Sequence, residues 1–308
     1  MKTAIVGYTG FVGSNLCASY QFDFCYNSKN IDQAFGTKPD LLVYSGVRAE
    51  MFLANKFPEK DLEIIENAIE NIKKIQAKRV VLISSIAVYN QAFDVDENTD
   101  INKEESTAYG RNRRILEEWV GQNCSDSLIV RLPGIYGINL KKNFLYDMIH
   151  VIPAMLTEAK YQELASQSEL IKQNYVMQDN GFAKCQADEV ARCQLKNVFQ
   201  ELGFTALLFT DSRGIFQYFN LDKLWPIIEK ALEKKIRLLN VAVEPVTVSE
   251  IYSYVKDGAE FVNELNKPVP HFDFKSIYAE EFGGHHGYIQ DKQTCLKDMK
   301  KFVTSNSK

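Results

Sequence analysis

The sequence predicts an α/β protein built on a doubly wound parallel sheet, with a smaller C-terminal lobe. Three observations lead there. Strand and helix patterns alternate over the first ~135 residues. The opening strand runs straight into a glycine-rich turn and a helix. The later strands are continuous apolar runs of the kind that sit in a sheet covered on both faces.

In chain order, Thr3 to Val6 is a β-type run, Gly7 to Gly13 a turn, Phe11 to Tyr20 a helix, and Phe22 to Tyr26 again β-like. Leu41 to Tyr44 follows Pro39-Asp40 as a third strand. Asp61 to Lys78 places Ile65, Ile69, Ile72 and Ile75 at helical spacing with Glu and Lys between them, an amphipathic helix. It leads into the apolar run Arg79 to Ser84. Tyr109 to Gln122 reads as a helix and Leu128 to Val130 as the next strand. From Lys141 to Arg213 the chain turns polar and helix-favouring, broken at Gly181 and Gly203, and carries no motif. Leu221 to Lys235 reads as a helix despite Pro226, and Ile236 to Val243 as a strand returning to the sheet. Val246 to Glu250 opens a helix with Ser249 as its cap. The expected organisation is a dinucleotide-type domain over 1–140, completed by about 214–245. The rest, 141–213 and 246–308, is the expected substrate-binding lobe.

Composition narrows the function. The 308 residues carry 36 Lys and Arg against 40 Asp and Glu, a net charge of −4, so no overall basic field exists to hold nucleic acid or an anionic membrane. Apolar residues make up 45% and charged residues 25%, which excludes a disordered, collagenous or coiled-coil chain. The first residues form too short an apolar run for a secretory signal, and no segment approaches the roughly 20 apolar residues of a membrane span, so a cytoplasmic chain is expected. Six cysteines lie far apart with no C-x-x-C pair and no histidine at zinc spacing, and read as buried free thiols. His285-His286 is the one histidine pair, and adjacent side chains diverge, so no metal site is expected.

Gly7, Thr9, Gly10, Phe11, Val12 and Gly13 stand where a strand passes into a helix, the setting in which backbone approaches a pyrophosphate and the helix N-terminus adds positive potential. A close strand-to-helix packing would also use these glycines. About 20 residues on, where an acidic side chain binds the ribose hydroxyls in NAD-type sites, stand Asn27, Ser28 and Lys29. No carboxylate there repels a 2′-phosphate and Lys29 attracts one, giving a slight preference for NADP over NAD; Asp23 comes too early. Ser45 and Gly46 end the third strand, with Arg48 as a second cation.

Ser84-Ser85-Ile86-Ala87-Val88-Tyr89 ends the fourth strand and Tyr109-Gly110-Arg111-Asn112-Arg113-Arg114-Ile115-Leu116-Glu117 opens the next helix. With the glycine turn, these segments resemble the extended short-chain dehydrogenase/reductase family, the epimerases and dehydratases that act mostly on nucleotide sugars. The resemblance implies a Rossmann fold, Ser85 as the catalytic serine and Tyr109 as the general acid/base. Ser84, read chiefly as structural, is counted with Pro133 among the residues lining the cofactor. Arg113 stands at the family lysine, so it is expected to lower the Tyr109 pKa and to hold the nicotinamide ribose.

Arg131-Leu132-Pro133-Gly134-Ile135-Tyr136-Gly137 is similar to the family's Arg-x-x-Asn-x-Tyr-Gly, with Gly134 at the asparagine. Asn67 is set aside as a helix-surface residue. The family's dehydratases place acidic residues after the catalytic hydroxyl, and Ile86-Ala87 here disfavour elimination. Epimerisation and carbonyl reduction of a sugar or nucleotide-sugar remain. A homodimer through the Tyr109 helix is implied by resemblance; Ile115, Leu116 and Trp119 on that helix suit such an interface and equally the core. The alternative is a dinucleotide-binding sensor or scaffold without chemistry, kept open by Arg113 and Gly134.

Overall fold

The computed structural model describes residues 1–102 and 104–307. The chain divides into two compact units, the first made of Met1–Leu140, Ile215–Val246 and Pro270–Asp298, the second of Lys141–Gly214, Thr247–Val269 and the residues from Met299 on.

The first unit is organised around six strands: β1 (Thr3–Val6), β2 (Phe24–Tyr26), β3 (Leu41–Tyr44), β4 (Arg79–Ser85), β5 (Ser127–Leu132) and β6 (Leu238–Asn240). Their spatial order is β2-β1-β3-β4-β5-β6, all parallel, a Rossmann-type doubly wound sheet. The chain leaves β1 towards β2 on one side and passes to β3 on the other, so the order reverses there and a crevice opens at the carboxyl ends. The register sets Val6 beside Tyr26 and Tyr44, Tyr44 beside Leu82, and Ser85 beside Leu132. Gly7, Ser45, Ser85 and Pro133 therefore line one edge.

Both faces of the sheet are covered. Four helices matter for this: α1 (Phe11–Ser19), α2 (Pro58–Ile75), α3 (Ala108–Asn123) and α4 (Leu224–Glu233). Val6, Leu42, Tyr44, Val80 and Leu82 pack with Ile65, Ile72 and Ile75 of α2 and Leu116 and Val120 of α3. Alternate residues Ile5, Val43, Val81 and Val130 point the other way and are also buried. Leu116 is buried within the chain's own core and Ile115 and Trp119 pack against it.

Several expectations are corrected. The Asp61–Lys78 helix begins earlier, at Pro58, because a first-turn proline needs no N–H partner. The 221–235 helix resolves into a 3₁₀ turn, Leu221–Lys223, followed by α4, in which Pro226 falls in the first turn. Residues 270–298 were expected in the smaller lobe but belong to the first unit. Asp273–Phe274 pairs in parallel with Phe93–Val95, and the Glu97 carboxylate accepts from the Asn240 amide (2.8 Å), Ser276 Oγ (2.6 Å) and the Ile277 amide (2.9 Å). These pairings are long-range and leave no periodic trace.

The second unit contains a three-stranded antiparallel sheet, in the order Met155–Thr157, Phe182–Cys185, Tyr175–Met177, where the sequence read only helix. Strands of three or four residues are too short to print a period of two. Leu156, Leu164, Ile171, Tyr175, Ala183, Leu195 and Phe199 give this unit its own core. Its helix Val248–Val255 is capped by Thr247, not Ser249, through a reciprocal capping box with Glu250. All six cysteines are free, yet only Cys185 and Cys295 are buried and Cys193 is exposed. Among the described residues no helix is long and apolar enough to cross a membrane.

Candidate active site

The glycine turn separates structural from permissive glycines. Gly7 has φ +91°, and a Cβ on it would lie 2.5 Å from the Ser45 carbonyl oxygen. A Cβ on Gly13 would stand 2.1 Å from the Gly7 carbonyl oxygen, so α1 can close onto β1 only over a glycine. Gly10 differs: its backbone is extended (φ −77°, ψ 172°), it is exposed, and a Cβ would meet only the Gly7 oxygen at 3.2 Å. The chain itself scarcely requires glycine at position 10. Gly10 is also the N-cap of α1 and supplies no side-chain cap, which leaves first-turn N–H groups to an anion. Thr9 is exposed beside it, with Phe11 and Val12 half-buried. This cradle fits a pyrophosphate.

At the end of β2, Asn27 is folded into its own turn, its amide donating to Asn30 Oδ1 (2.7 Å) and its Oδ1 accepting from the Lys29 amide (2.9 Å). Ser28 and Lys29 are exposed. Asp23 is engaged by the Thr3 amide (2.7 Å) and hydroxyl (2.9 Å), which hold its carboxyl below the usual range. At the end of β3, Ser45 Oγ donates to the Val6 carbonyl (2.9 Å), while Gly46 and Arg48 are exposed.

The two hydroxyl-bearing residues singled out by the sequence lie near each other. Ser85 caps a 3₁₀ turn, Ile86–Val88, its Oγ accepting from the Ala87 amide at 3.2 Å. A Cβ on Gly110 would stand 2.1 Å from the Ala87 carbonyl oxygen, so glycine lets the first turn of α3 close on this segment. The Thr107 hydroxyl caps α3 by accepting from the Gly110 amide (3.2 Å), and Asn55 Oδ1 accepts from the Tyr109 amide (3.0 Å). Tyr109 is buried, with Ser85 and Arg113 both near enough to its phenol to favour the ionised form. The Arg113 guanidinium carbon lies 3.9 Å from the centroid of the Tyr109 ring.

Arg113 is itself buried and held. Nη1 donates to Asp61 Oδ2 and Nη2 to the Arg48 carbonyl at 2.5 Å. Asn112 Nδ2 also donates to Asp61 Oδ2 (2.9 Å) and to the Pro58 carbonyl (3.1 Å). Each terminal nitrogen of Arg113 thus donates to protein, which fixes the guanidinium in place. Arg113 does act to lower the Tyr109 pKa, but burial outweighs it. Burial raises it above the usual phenol value, Arg113 opposes the rise, and Asp61 adds to it.

Ser84 points into a buried network, away from any ligand role for its hydroxyl. Its Oγ donates to Glu117 Oε1 (2.6 Å); Arg131 Nε and Nη2 grip the same carboxylate (3.0 and 2.7 Å) and Nη1 donates to Tyr89 Oη (2.7 Å). Tyr89 Oη donates to the Asp96 carbonyl (2.7 Å) and accepts from Asn240 Nδ2 (2.9 Å). This chain of partners joins β4, α3, β5 and β6 beneath Ser85 and Tyr109. Pro133 is buried where β5 gives way to the segment Gly134–Tyr136. That segment pairs with Tyr218–Asn220, Gly134 opposite Tyr218, and a Cβ on Gly134 would stand 2.9 Å from both the Gln217 carbonyl and the Tyr218 ring. Glycine at the family's asparagine position is therefore demanded by Tyr218.

Three residues escaped the sequence reading. Asn55 and Asn15 carry no pattern; Asn15 Nδ2 donates to the Ile138 carbonyl (2.9 Å) and its Oδ1 accepts from the Ile138 amide (2.8 Å), tying α1 to the end of β5's continuation. Asp61 did carry one. It stands in register with the buried stripe Ile65, Ala68, Ile72 and Ile75, a carboxylate on an apolar face. Asn67 is exposed, as are His285 and His286. Among the described residues no group of three or more His, Cys, Asp or Glu side chains forms a metal-binding cluster.

A parallel sheet with a serine and a buried tyrosine at its carboxyl edge agrees with the extended short-chain dehydrogenase/reductase architecture. The chain belongs to the NAD dependent epimerase/dehydratase family, whose model matches residues 20–184. That match begins after the glycine turn. In structure the chain is similar to dTDP-4-dehydrorhamnose reductase from Bacillus anthracis, solved in complex with NADP, at 14% identity and a TM-score of 0.63 over 99% of both chains. It is similar to the Bordetella bronchiseptica enzyme WbmG in complex with NAD, at 14% identity and a TM-score of 0.66 over 99% of this chain and 94% of that one. UDP-glucose 4-epimerase from Thermotoga maritima, solved with UDP-glucose, shares 10% identity and a TM-score of 0.61 over 99% and 98%. No curated protein matches the chain significantly in sequence.

Proposed function

We propose that the protein is an NAD(P)-dependent oxidoreductase or epimerase acting on a sugar or nucleotide-sugar, with Tyr109 as proton carrier and Ser85 as the group that holds the reacting oxygen. The observation that carries this is the placing of Ser85 at the end of β4 beside the buried Tyr109 of α3, with Arg113 against the Tyr109 ring, on the sheet edge where the glycine cradle opens. Gly7, Gly10 and the N-terminus of α1 would hold the pyrophosphate, and Lys29 would meet a 2′-phosphate. A bound nicotinamide supplies hydride exchange at its C4 carbon. Ser85 orients the substrate oxygen towards Tyr109, and Arg113 stabilises the phenolate left when Tyr109 gives up its proton. The second unit is proposed to bind the sugar, and the bound NADP and NAD of the structural neighbours support a nicotinamide without choosing between the two forms.

Titration calorimetry with NADP and NAD, followed by turnover on a panel of nucleotide sugars, tests the reading. Binding of either cofactor and turnover cut by ~10²–10⁴-fold in Tyr109→Phe are the expected results. The engagement of Arg113 by Asp61 favours a second reading, a cofactor-binding sensor, and cofactor binding with no turnover on any sugar would select it.

A further inference from the structure

Asp61 is a carboxylate only 6% exposed, and no role in the reaction proposed above has been given to it. It lies in the first turn of α2, where the helix dipole favours an anion, and takes hydrogen bonds from both Arg113 and Asn112. Arg113 in turn is fixed at its other terminal nitrogen by the Arg48 carbonyl and lies against the Tyr109 ring. The charged groups facing Tyr109 are therefore Arg113 from α3 and Asp61 from α2. β4 presents the neutral Ser85, and the segment Met51–Lys56 presents the neutral Asn55. The charges around the phenol cancel.

We propose that Asp61 is a positioning residue that pins Arg113 to the face of Tyr109 and balances its charge, so that Tyr109 rests as a neutral proton donor and the site is set for carbonyl reduction. This rests on Tyr109 being the proton carrier. In the reducing step the Tyr109 O–H bond breaks and its proton forms the O–H bond on the carbonyl oxygen. The C=O π bond opens as hydride from a dihydronicotinamide, which is thereby oxidised, forms the new C–H bond. The phenolate, held by Ser85 and Arg113, then takes a proton back from water. An epimerase of this chemistry begins by removing a proton from a hydroxyl, which a neutral phenol does poorly. Burial, which holds the Tyr109 pKa above the usual value, works in the same direction.

The test places a fluorinated tyrosine of lower intrinsic pKa at position 109 and follows its ionisation by fluorine NMR in the whole, substrate-free protein. The parent should titrate at or above the free fluorinated amino acid. Asp61→Asn keeps an acceptor oxygen but loses the charge, and should lower the midpoint by about one pH unit. Arg113→Met should raise it. The double variant Asp61→Asn/Arg113→Met leaves no unpaired buried charge, so it serves where a single variant does not fold, and should titrate near the parent. A parent midpoint below the free amino acid, an Asp61→Asn midpoint that is unchanged or higher, or a double variant matching Arg113→Met would each overturn the proposal. Turnover retained in Tyr109→Phe would instead remove the proposed function, while the midpoints judge Asp61 without substrate.

Discussion

At the scale of single residues, the three glycines of the turn are not equivalent, and their differences predict separable phenotypes. Gly13→Ala puts a Cβ 2.1 Å from the Gly7 carbonyl oxygen and should destabilise the fold, read as a lower Tm. Gly10→Val meets no such backbone and should fold, but should lose dinucleotide binding by calorimetry, because the side chain fills the phosphate cradle. Tyr109→Phe should slow hydride transfer by ~10²–10⁴-fold with cofactor affinity kept, a split visible in single-turnover absorbance. The places of Ser85 at the end of β4 and of Tyr109 in the first turn of α3 were legible in the sequence because both residues sit in motifs of fixed spacing. The state of Arg113 was not, since its partners Asp61 and Arg48 come from other segments and only folding brings them to it. Gly134 likewise read as a departure from pattern until Tyr218, 84 residues on in the chain (218 − 134), proved to require it.

At the scale of elements, α3 does the positioning. Its glycine at 110 lets it close on the end of β4, and Glu117, two turns further along, anchors it to β5 through the bidentate Arg131 pair. Breaking a buried ion pair by removing one partner typically costs about 3–5 kcal/mol. Glu117→Ala should therefore lower denaturant stability by that order while leaving the Ser85–Tyr109 chemistry chemically intact, so that any surviving folded fraction turns over normally per folded molecule. The long elements of the first unit were readable because their periods repeat over enough residues, as in Ile65, Ile72 and Ile75. The three short strands around Ala183 were not, and a Gln- and Lys-rich sequence disguised a sheet whose exposed face carries Met155, Val176 and Phe182. That face escaped a reading built on average polarity.

At the scale of the whole molecule, each unit has its own apolar core, one under the parallel sheet and one around Leu156, Ile171, Leu195 and Phe199, so each can unfold as a cooperative block. The glycine cradle lies in the first unit, and ligand binding stabilises what binds it, by ~2.7 kcal/mol at a hundredfold excess over Kd. Calorimetry with added NADP should therefore raise the transition of the first unit. Asp147 marks the second. Burial alone pushes its carboxyl from 3.8 up to about 7. The folded state thus keeps a proton that the unfolded chain releases near 3.8, and stability from this group is full below that pH and lost as pH rises through about 7. Asp147→Asn cannot ionise, so it should raise the second transition at pH 8 and leave it nearly unchanged at pH 4, with the NADP-responsive transition unmoved at either pH. An equal rise at both pH values would show that the gain came from packing and not from the proton.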